Sequence, residues 1–297
     1  MLSDSAEASG ARERIVAPLL HAALRILLKP ALSQRLPIGA QRWWLHRLAR
    51  LNRPARGVAI EPASVGGIAG EWLRPQASNR VGTILYLHGG GFCTGSPATH
   101  RALTSRLARA AGLPVFAADY RLAPEHPFPA AVEDAISACR AFAGPVIIAG
   151  DSAGAWLALA TALAARERGI RPPDALVLFS PWIDLTDIPE TPRDPMTGAA
   201  WLRASARHYM ADAAPLASPL DADLRGLPPT LIQAGGAELL RRDAEKLYEA
   251  LADAGVAVRC EIVPARWHAF QLHAGMLPSA DAAIEHAAKF IAVNAKV

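Results

Sequence analysis

Short apolar runs alternate along this chain with longer stretches of helical periodicity. Val81–Leu87, Pro114–Ala118, Pro145–Ala149, Ala175–Phe179, Pro229–Ala234 and Val256–Val263 have strand length and are largely apolar, as strands covered on both faces are. Between and after them, Ala98–Ala111, Ala130–Phe142, Ala155–Ala165 and Asp281–Val293 carry helix formers with apolar residues three and four apart. This alternation predicts a mostly parallel sheet with helices on both faces. Ahead of it, residues 57–74 hold two strand signals separated by Gly66-Gly67, the mark of a hairpin.

Two segments break the rhythm. From Ile15 to Leu51 the pattern is helical, interrupted by Pro30 and Pro37, with Leu19, Leu20, Ala23, Ile26 and Leu27 assigned to one face and Trp43, Trp44, Leu45 and Leu48 forming a bulky cluster. Residues 185–217 are rich in proline and acid, with Trp201, Tyr209 and Met210 among them. We read both as helical pieces over one end of the sheet, giving an N-terminal cap segment at 1–52 and a main domain at 53–297 with a cap insertion at about 185–217. For the N-terminal helices a lid is preferred; lipid contact and plain packing are the competing readings. Residues 1–10, small and polar, are expected to fray. Asp184, Asp187, Asp194, Asp212, Asp221 and Asp223 are expected to be solvated loop carboxylates.

Composition narrows the class. The 297 residues are 52% hydrophobic and 20% charged, enough apolar material for a substantial core. The net charge of +4 is concentrated near the N-terminus, where Arg12, Arg14, Arg25, Lys29, Arg35, Arg42, Arg47 and Arg50 outnumber Asp4, Glu7 and Glu13. The remainder is nearly neutral and carries no nucleic-acid footprint. Cys93, Cys139 and Cys260 form neither a close pair nor a metal pattern, which suits a reducing, cytoplasmic setting. No stretch of transmembrane length occurs, and His21, Arg25 and Lys29 interrupt what would be a leader's apolar segment.

Candidate chemistry sits at strand ends. Gly150-Asp151-Ser152-Ala153-Gly154 falls between the strand ending at Ala149 and the helix from Ala155, the setting of a nucleophile elbow. Glycines at 150 and 154 let strand and helix approach, and the turn holds Ser152 at strained dihedrals with helix N–H groups behind it. The strand ending at Leu87 runs into His88-Gly89-Gly90-Gly91-Phe92, whose bare backbone can turn N–H groups toward an oxyanion. Gly90, Gly91 and Ala153 are the expected donors, and His88 a brace for the loop. Glu238 follows the strand ending at Ala234, and His268 follows the one ending at Val263. Serine, acid and histidine thus occur in the chain order of the α/β-hydrolases. Glu125 and His126 are read as structural, His273 and His286 as packing or surface residues. Phe92, Asp151, Trp201 and Trp267 are candidates for the pocket wall.

Taken together, H-G-G-G-F at 88–92, D-Y-R-L-A-P-E at 119–125, G-D-S-A-G at 150–154 and S-P-W at 180–182 resemble the bacterial hormone-sensitive-lipase-like esterases. The resemblance runs from about residue 57 to the C-terminus. It implies an α/β-hydrolase fold with a helical cap, and a carboxylesterase acting on short- to medium-chain acyl esters through Ser152, His268 and an acid, with no cofactor or metal. The family's acid turn is Asp-Pro-Leu where this chain has Glu238-Leu239-Leu240, so Glu238 takes the acid's position and Asp243 is the fallback. The family's His-Gly-Phe is His268-Ala269-Phe270 here. A lactonase or a hydrolase of bulky or terpenoid esters is the alternative within the class. A non-catalytic small-ligand receptor is the alternative outside it, and the presence of His268 argues against that. The expected partner is a small ester, with a homodimer as a possible assembly.

Overall fold

The alternating pattern folds as one nine-stranded sheet in a computed structural model that describes residues 2–4, 10–78, 80–190, 194–211 and 218–294. In chain order the elements are β1 (Leu2–Asp4), α1 (Ala11–Ala23), α2 (Ile38–Ala49), β2 (Val58–Val65), β3 (Ile68–Pro75), β4 (Thr83–Leu87), α3 (Pro97–Ala111) and β5 (Val115–Ala118). Then come α4 (Ala130–Arg140), β6 (Val146–Asp151), α5 (Ala153–Glu167), β7 (Ala175–Phe179), α6 (Ala199–Met210), β8 (Thr230–Gly235), α7 (Arg241–Asp253), β9 (Val258–Val263) and α8 (Pro278–Asn294). The helix α1 continues into a π turn over Leu24–Leu28, so the N-terminal pattern splits at Pro30 and Pro37 as expected. Leu2–Asp4 do not fray: they pair with β9 as a parallel edge strand. Asp212 lies outside the described residues.

The sheet order is β1-β9-β8-β7-β6-β4-β5-β3-β2. The pairs from β1 to β5 are parallel, while β3 and β2 close the far edge antiparallel. The β2–β3 hairpin turns on Gly66 and Gly67, both at positive φ (61° and 82°), a geometry that a two-residue hairpin demands. Side chains alternate strictly across the central strands. Leu85, Leu87, Ile148, Leu176 and Leu178 join the core under α4, α5 and α7. Ile84, Tyr86, Ile147, Ala149 and Val177 join the core under α1, α3 and α8. Both faces are buried, which is why these strands are unbroken apolar runs in the sequence.

Strand order places the site. From β4 the chain moves to β5 on one side, then returns to lay β6 on the other. The loops leaving β4 and β6 therefore diverge to opposite faces and open a crevice at their carboxyl ends. The loops after β8 and β9 rise along the same edge of the sheet.

Candidate active site

Ser152 caps α5 with φ 54° and ψ −120°, a conformation that costs a non-glycine residue of order 1–3 kcal/mol and persists because its surroundings over-determine it. Its N–H donates to the Phe179 carbonyl at 2.9 Å, tying the elbow to β7. A side chain at Gly154 would collide with the Leu87 carbonyl, and one at Gly150 with the backbone of Gly154 and Leu87. The glycines are thus required by close approach of β4, β6 and α5.

The imidazole of His268 reaches this serine across the crevice, with Nε2 at 2.9 Å from Ser152 Oγ. On its other side, Nδ1 lies 3.6 Å from Oε1 of Glu238, an ion-pair contact longer than a hydrogen bond. All three side chains are buried. Burial disfavours the charged imidazole, but the Glu238 carboxylate, with Asp194 and Asp151 behind it, outweighs that and holds the His268 pKa above its ordinary 6.5. Glu238 is fixed by its second oxygen, which accepts from the Gly235 N–H at 2.6 Å and the Ser180 hydroxyl at 2.7 Å. Ser180 Oγ in turn accepts the Ala269 N–H at 2.9 Å. One hydroxyl therefore sets the acid and the histidine loop against each other. Ser180 opens the S-P-W motif, to which sequence reasoning attached no role.

The fallback acid is elsewhere. Asp243 is buried, not on the helix surface, and its Oδ2 accepts the N–H groups of Ile183 (2.7 Å) and Asp184 (3.1 Å). Burial pushes its pKa up to about 6. The neighbouring arginines bind other acids: Arg241 pairs with Glu245 and Arg242 with Asp187.

Asp194 overturns the expectation of a solvated carboxylate: it is fully buried (0% exposed). Its Oδ1 accepts Met196 N–H at 2.8 Å, and its Oδ2 accepts the N–H groups of Leu239 and His268, both at 3.1 Å. A carboxylate from the insertion thus clasps the acid loop and the histidine loop. Its carbonyl accepts Lys29 Nζ at 2.6 Å, which brings the N-terminal segment into the same cluster. Nothing local in Asp194-Pro195-Met196 marks such a role. Asp184 is half-buried, whereas Asp187, Asp221 and Asp223 are exposed as expected.

Facing Ser152 is the loop after β4. Gly90 (φ 116°), Gly91 (φ 61°) and Phe92 (φ 60°) follow one another at positive φ, turning the backbone sharply. Among the described residues, the N–H groups of Gly90, Gly91 and Ala153 donate to no protein acceptor, so they are free to hold an anion. His88 braces this loop: Nδ1 lies 2.8 Å from the Gly89 carbonyl and the ring stacks on Tyr120 at 4.3 Å. Burial drives the His88 pKa down to about 3, which keeps it neutral. Beneath it, Asp151 accepts from Tyr86 Oη (2.7 Å) and Gly89 N–H (3.0 Å) and pairs with His100 at 3.3 Å. Burial raises the Asp151 pKa, but His100 and these donors outweigh it and hold it below 3.8.

An apolar pocket of about 220 Å³ leads away from Ser152 and His268. Asp151 and Trp201 line it, with Trp201 Nε1 donating to Gln41 Oε1 of α2 at 2.7 Å. Phe92 and Trp267 do not. Phe92 is stacked on Tyr209 at 3.7 Å in a buried aromatic cluster, and Trp267 packs against His21 and His273. Much of the pocket's apolar wall comes from the N-terminal segment, including Leu24, Leu28, Leu45 and Leu48. Arg42 clamps α2 in place by donating to the Cys93 and Ala123 carbonyls and pairing with Glu125 at 2.7 Å. Among the described residues, no group of His, Cys, Asp or Glu is gathered to hold a metal, and no helix is long and apolar enough to cross a membrane.

A strained serine between strand and helix, with a histidine on it and an acid behind, stands at one end of a parallel sheet, an arrangement able to carry out nucleophilic hydrolysis. The chain belongs to the alpha/beta hydrolase fold family, whose pattern it matches over residues 84–272. It is similar to an acetyl-hydrolase of Streptomyces hygroscopicus, with 44% identity over 242 residues, covering 77% of this chain and 81% of that one. An esterase of Acinetobacter venetianus is 37% identical over 261 residues, covering 83% and 86%. The crystal structure of an esterase from the bacterial hormone-sensitive lipase family superposes with a TM-score of 0.86 at 34% identity, covering 97% of this chain and 99% of that one.

Proposed function

We infer that this protein is a serine carboxylesterase of the bacterial hormone-sensitive-lipase-like group. The observation that carries the reading is the 2.9 Å contact between Ser152 Oγ and His268 Nε2 with Glu238 behind the ring. In the proposed mechanism, neutral His268 takes the hydroxyl proton as Ser152 Oγ bonds to the ester carbonyl carbon. The carbonyl oxygen becomes an oxyanion, received by the N–H groups of Gly90, Gly91 and Ala153. The intermediate collapses, the carbon–alkoxy bond breaks, and His268 returns the proton to the leaving alcohol. Water then attacks the acyl-enzyme with His268 again as base. The carboxylic acid leaves, and the proton goes back to Ser152.

The apolar wall from the N-terminal helices supports short- to medium-chain acyl groups and a lid role for residues 1–52 with the insertion at 185–217. Cys93, Cys139 and Cys260 are free and buried, which fits a cytoplasmic location.

Hydrolysis of p-nitrophenyl esters of graded chain length tests the reading. The wild-type chain should turn over the shorter members, and folded Ser152→Ala should not. Undiminished turnover by folded Ser152→Ala would refute the mechanism.

A further inference from the structure

The helix α1 has two apolar faces. Inward, Ala17, Leu24 and Leu28 are buried, with Leu20 half-buried in line with them. Outward, Ile15, Leu19 and Ile26, at i, i+4 and i+11, are 62%, 67% and 71% exposed. Leu19 and Ile26 therefore do not share one face with Leu20, as the sequence pattern suggested: they point outward while Leu20 turns in. A helix lying on a protein in water carries polar residues on that outer face.

Single exposed leucines need no explanation, but these are not single. Trp43, Leu36 and Leu51 in the same N-terminal segment are also exposed, and beyond the segment the described large apolar side chains left exposed are only Val81 and Val293. Leu27 and Leu51 line the pocket beside Ser152 and are themselves exposed, so the pocket reaches the surface among the exposed apolar residues of this segment.

The charge of the segment is one-sided. Between residues 10 and 56 its only acid is Glu13, and Glu13 is buried against Arg266 (3.0 Å) and Ser279 (2.7 Å). Arg14 and Arg25 immediately precede Ile15 and Ile26, are exposed, and have no acidic partner among the described residues. Arg47 lies over the exposed Trp43 ring at 5.2 Å. Apolar side chains flanked by arginines without exposed acids match an anionic lipid surface: the apolar stripe enters the interface and the guanidinium groups stay at the headgroups.

We propose that the outer face of α1, with Trp43 of α2, docks on anionic lipid and sets the pocket mouth against it. The docking surface does not depend on the ester chemistry, and binding tests it directly. The full chain is sedimented with phosphatidylcholine–phosphatidylglycerol vesicles and with phosphatidylcholine vesicles. Binding is expected on the anionic vesicles, falling as salt is raised, and much weaker on the neutral ones. Ile15→Glu/Leu19→Glu/Ile26→Glu should weaken it roughly a hundredfold or more. Val81→Glu/Val293→Glu should not, and both variants should keep kcat/KM on a water-soluble acetate within about twofold. Arg14→Glu/Arg25→Glu serves as the second variant, leaves the core untouched and should lose anionic selectivity. Absence of vesicle binding, or binding that neither the apolar nor the arginine variant weakens, overturns the proposal. So does a dimer that the triple substitution converts to monomer without any vesicle binding, which would assign the face to a second copy of the chain.

Discussion

The carboxylate of Asp194 holds His268 by its main chain, with Oδ2 at 3.1 Å from the His268 backbone nitrogen. The same oxygen accepts the Leu239 N–H, one residue past Glu238. A group from the insertion over the sheet therefore sets the spacing between the acid and the histidine, and adds its charge to those that favour the imidazolium.

Asp194→Asn should lower kcat roughly ten- to hundredfold while KM changes less. Oδ1 accepts the N–H groups of Met196 and Thr197 (2.8 and 3.4 Å) and Oδ2 those of Leu239 and His268, so an amide, with one acceptor oxygen, leaves one pair facing an NH₂ group and unsatisfied, at about 1–3 kcal/mol. Because the negative charge is also lost, the acid limb of the kcat/KM profile should move to lower pH. A variant with unchanged kcat and an unmoved acid limb would reduce Asp194 to a structural bond.

Glu238→Gln should lower kcat by about 10³–10⁴-fold, by analogy with the equivalent change in a serine protease. With its oxygen kept on Gly235 N–H and Ser180, the amide turns NH₂ toward His268 Nδ1. That favours the tautomer protonated at Nε2, which cannot accept the serine proton. Asp243→Asn should cost less than about tenfold, because Asp243 binds the backbone of Ile183 and Asp184 and not the imidazole. Rates of both variants on one short-chain ester decide between the two acids.

In the wild-type enzyme, kcat/KM should rise with pH through a single ionisation whose midpoint lies above 6.5, then level off. His268 must be neutral to act as base, and its neighbours hold its proton more tightly than a free imidazole does. A profile flat from pH 5 to 9 would exclude a histidine base.

Asp243 has a signature in stability. Its pKa is raised from 3.8 to about 6, so the folded chain binds that proton more tightly than the unfolded chain does. The resulting stabilisation is complete below 3.8 and is lost as pH rises through 6. Relative to the wild type, Asp243→Asn should therefore gain stability between pH 4 and 8, by up to about 3 kcal/mol. Urea midpoints of both proteins across that range measure it, and a constant difference would contradict the assignment.

Much of this protein was legible before any tertiary contact. The strand–turn–helix around Ser152, the glycine loop at 88–92 and the order serine, acid, histidine are local or sequential features. Steric demand at Gly150 and Gly154, apolar runs of strand length and helix formers after the elbow state them directly. Strand boundaries fell within about two residues, because strands buried on both faces leave little ambiguity of period.

What the sequence could not decide is which of several chemically equal groups the fold brings together. Glu238 and Asp243 are both acids just past one strand. Only the approach of the turn after β9 puts Glu238 against His268, while the loop from Ser180 to Asp184 claims Asp243. Asp194 looks like its solvated neighbours until loops 45 and 74 residues away supply the N–H donors that allow its burial. Likewise α1 is apolar on two sides, so its periodicity has two solutions, and contact with the core under α3 and α8 selects the inner one. Local sequence carries conformational preference and steric need; burial of a charge or choice of a face depends on partners distant in the chain, which exist only once the sheet has formed.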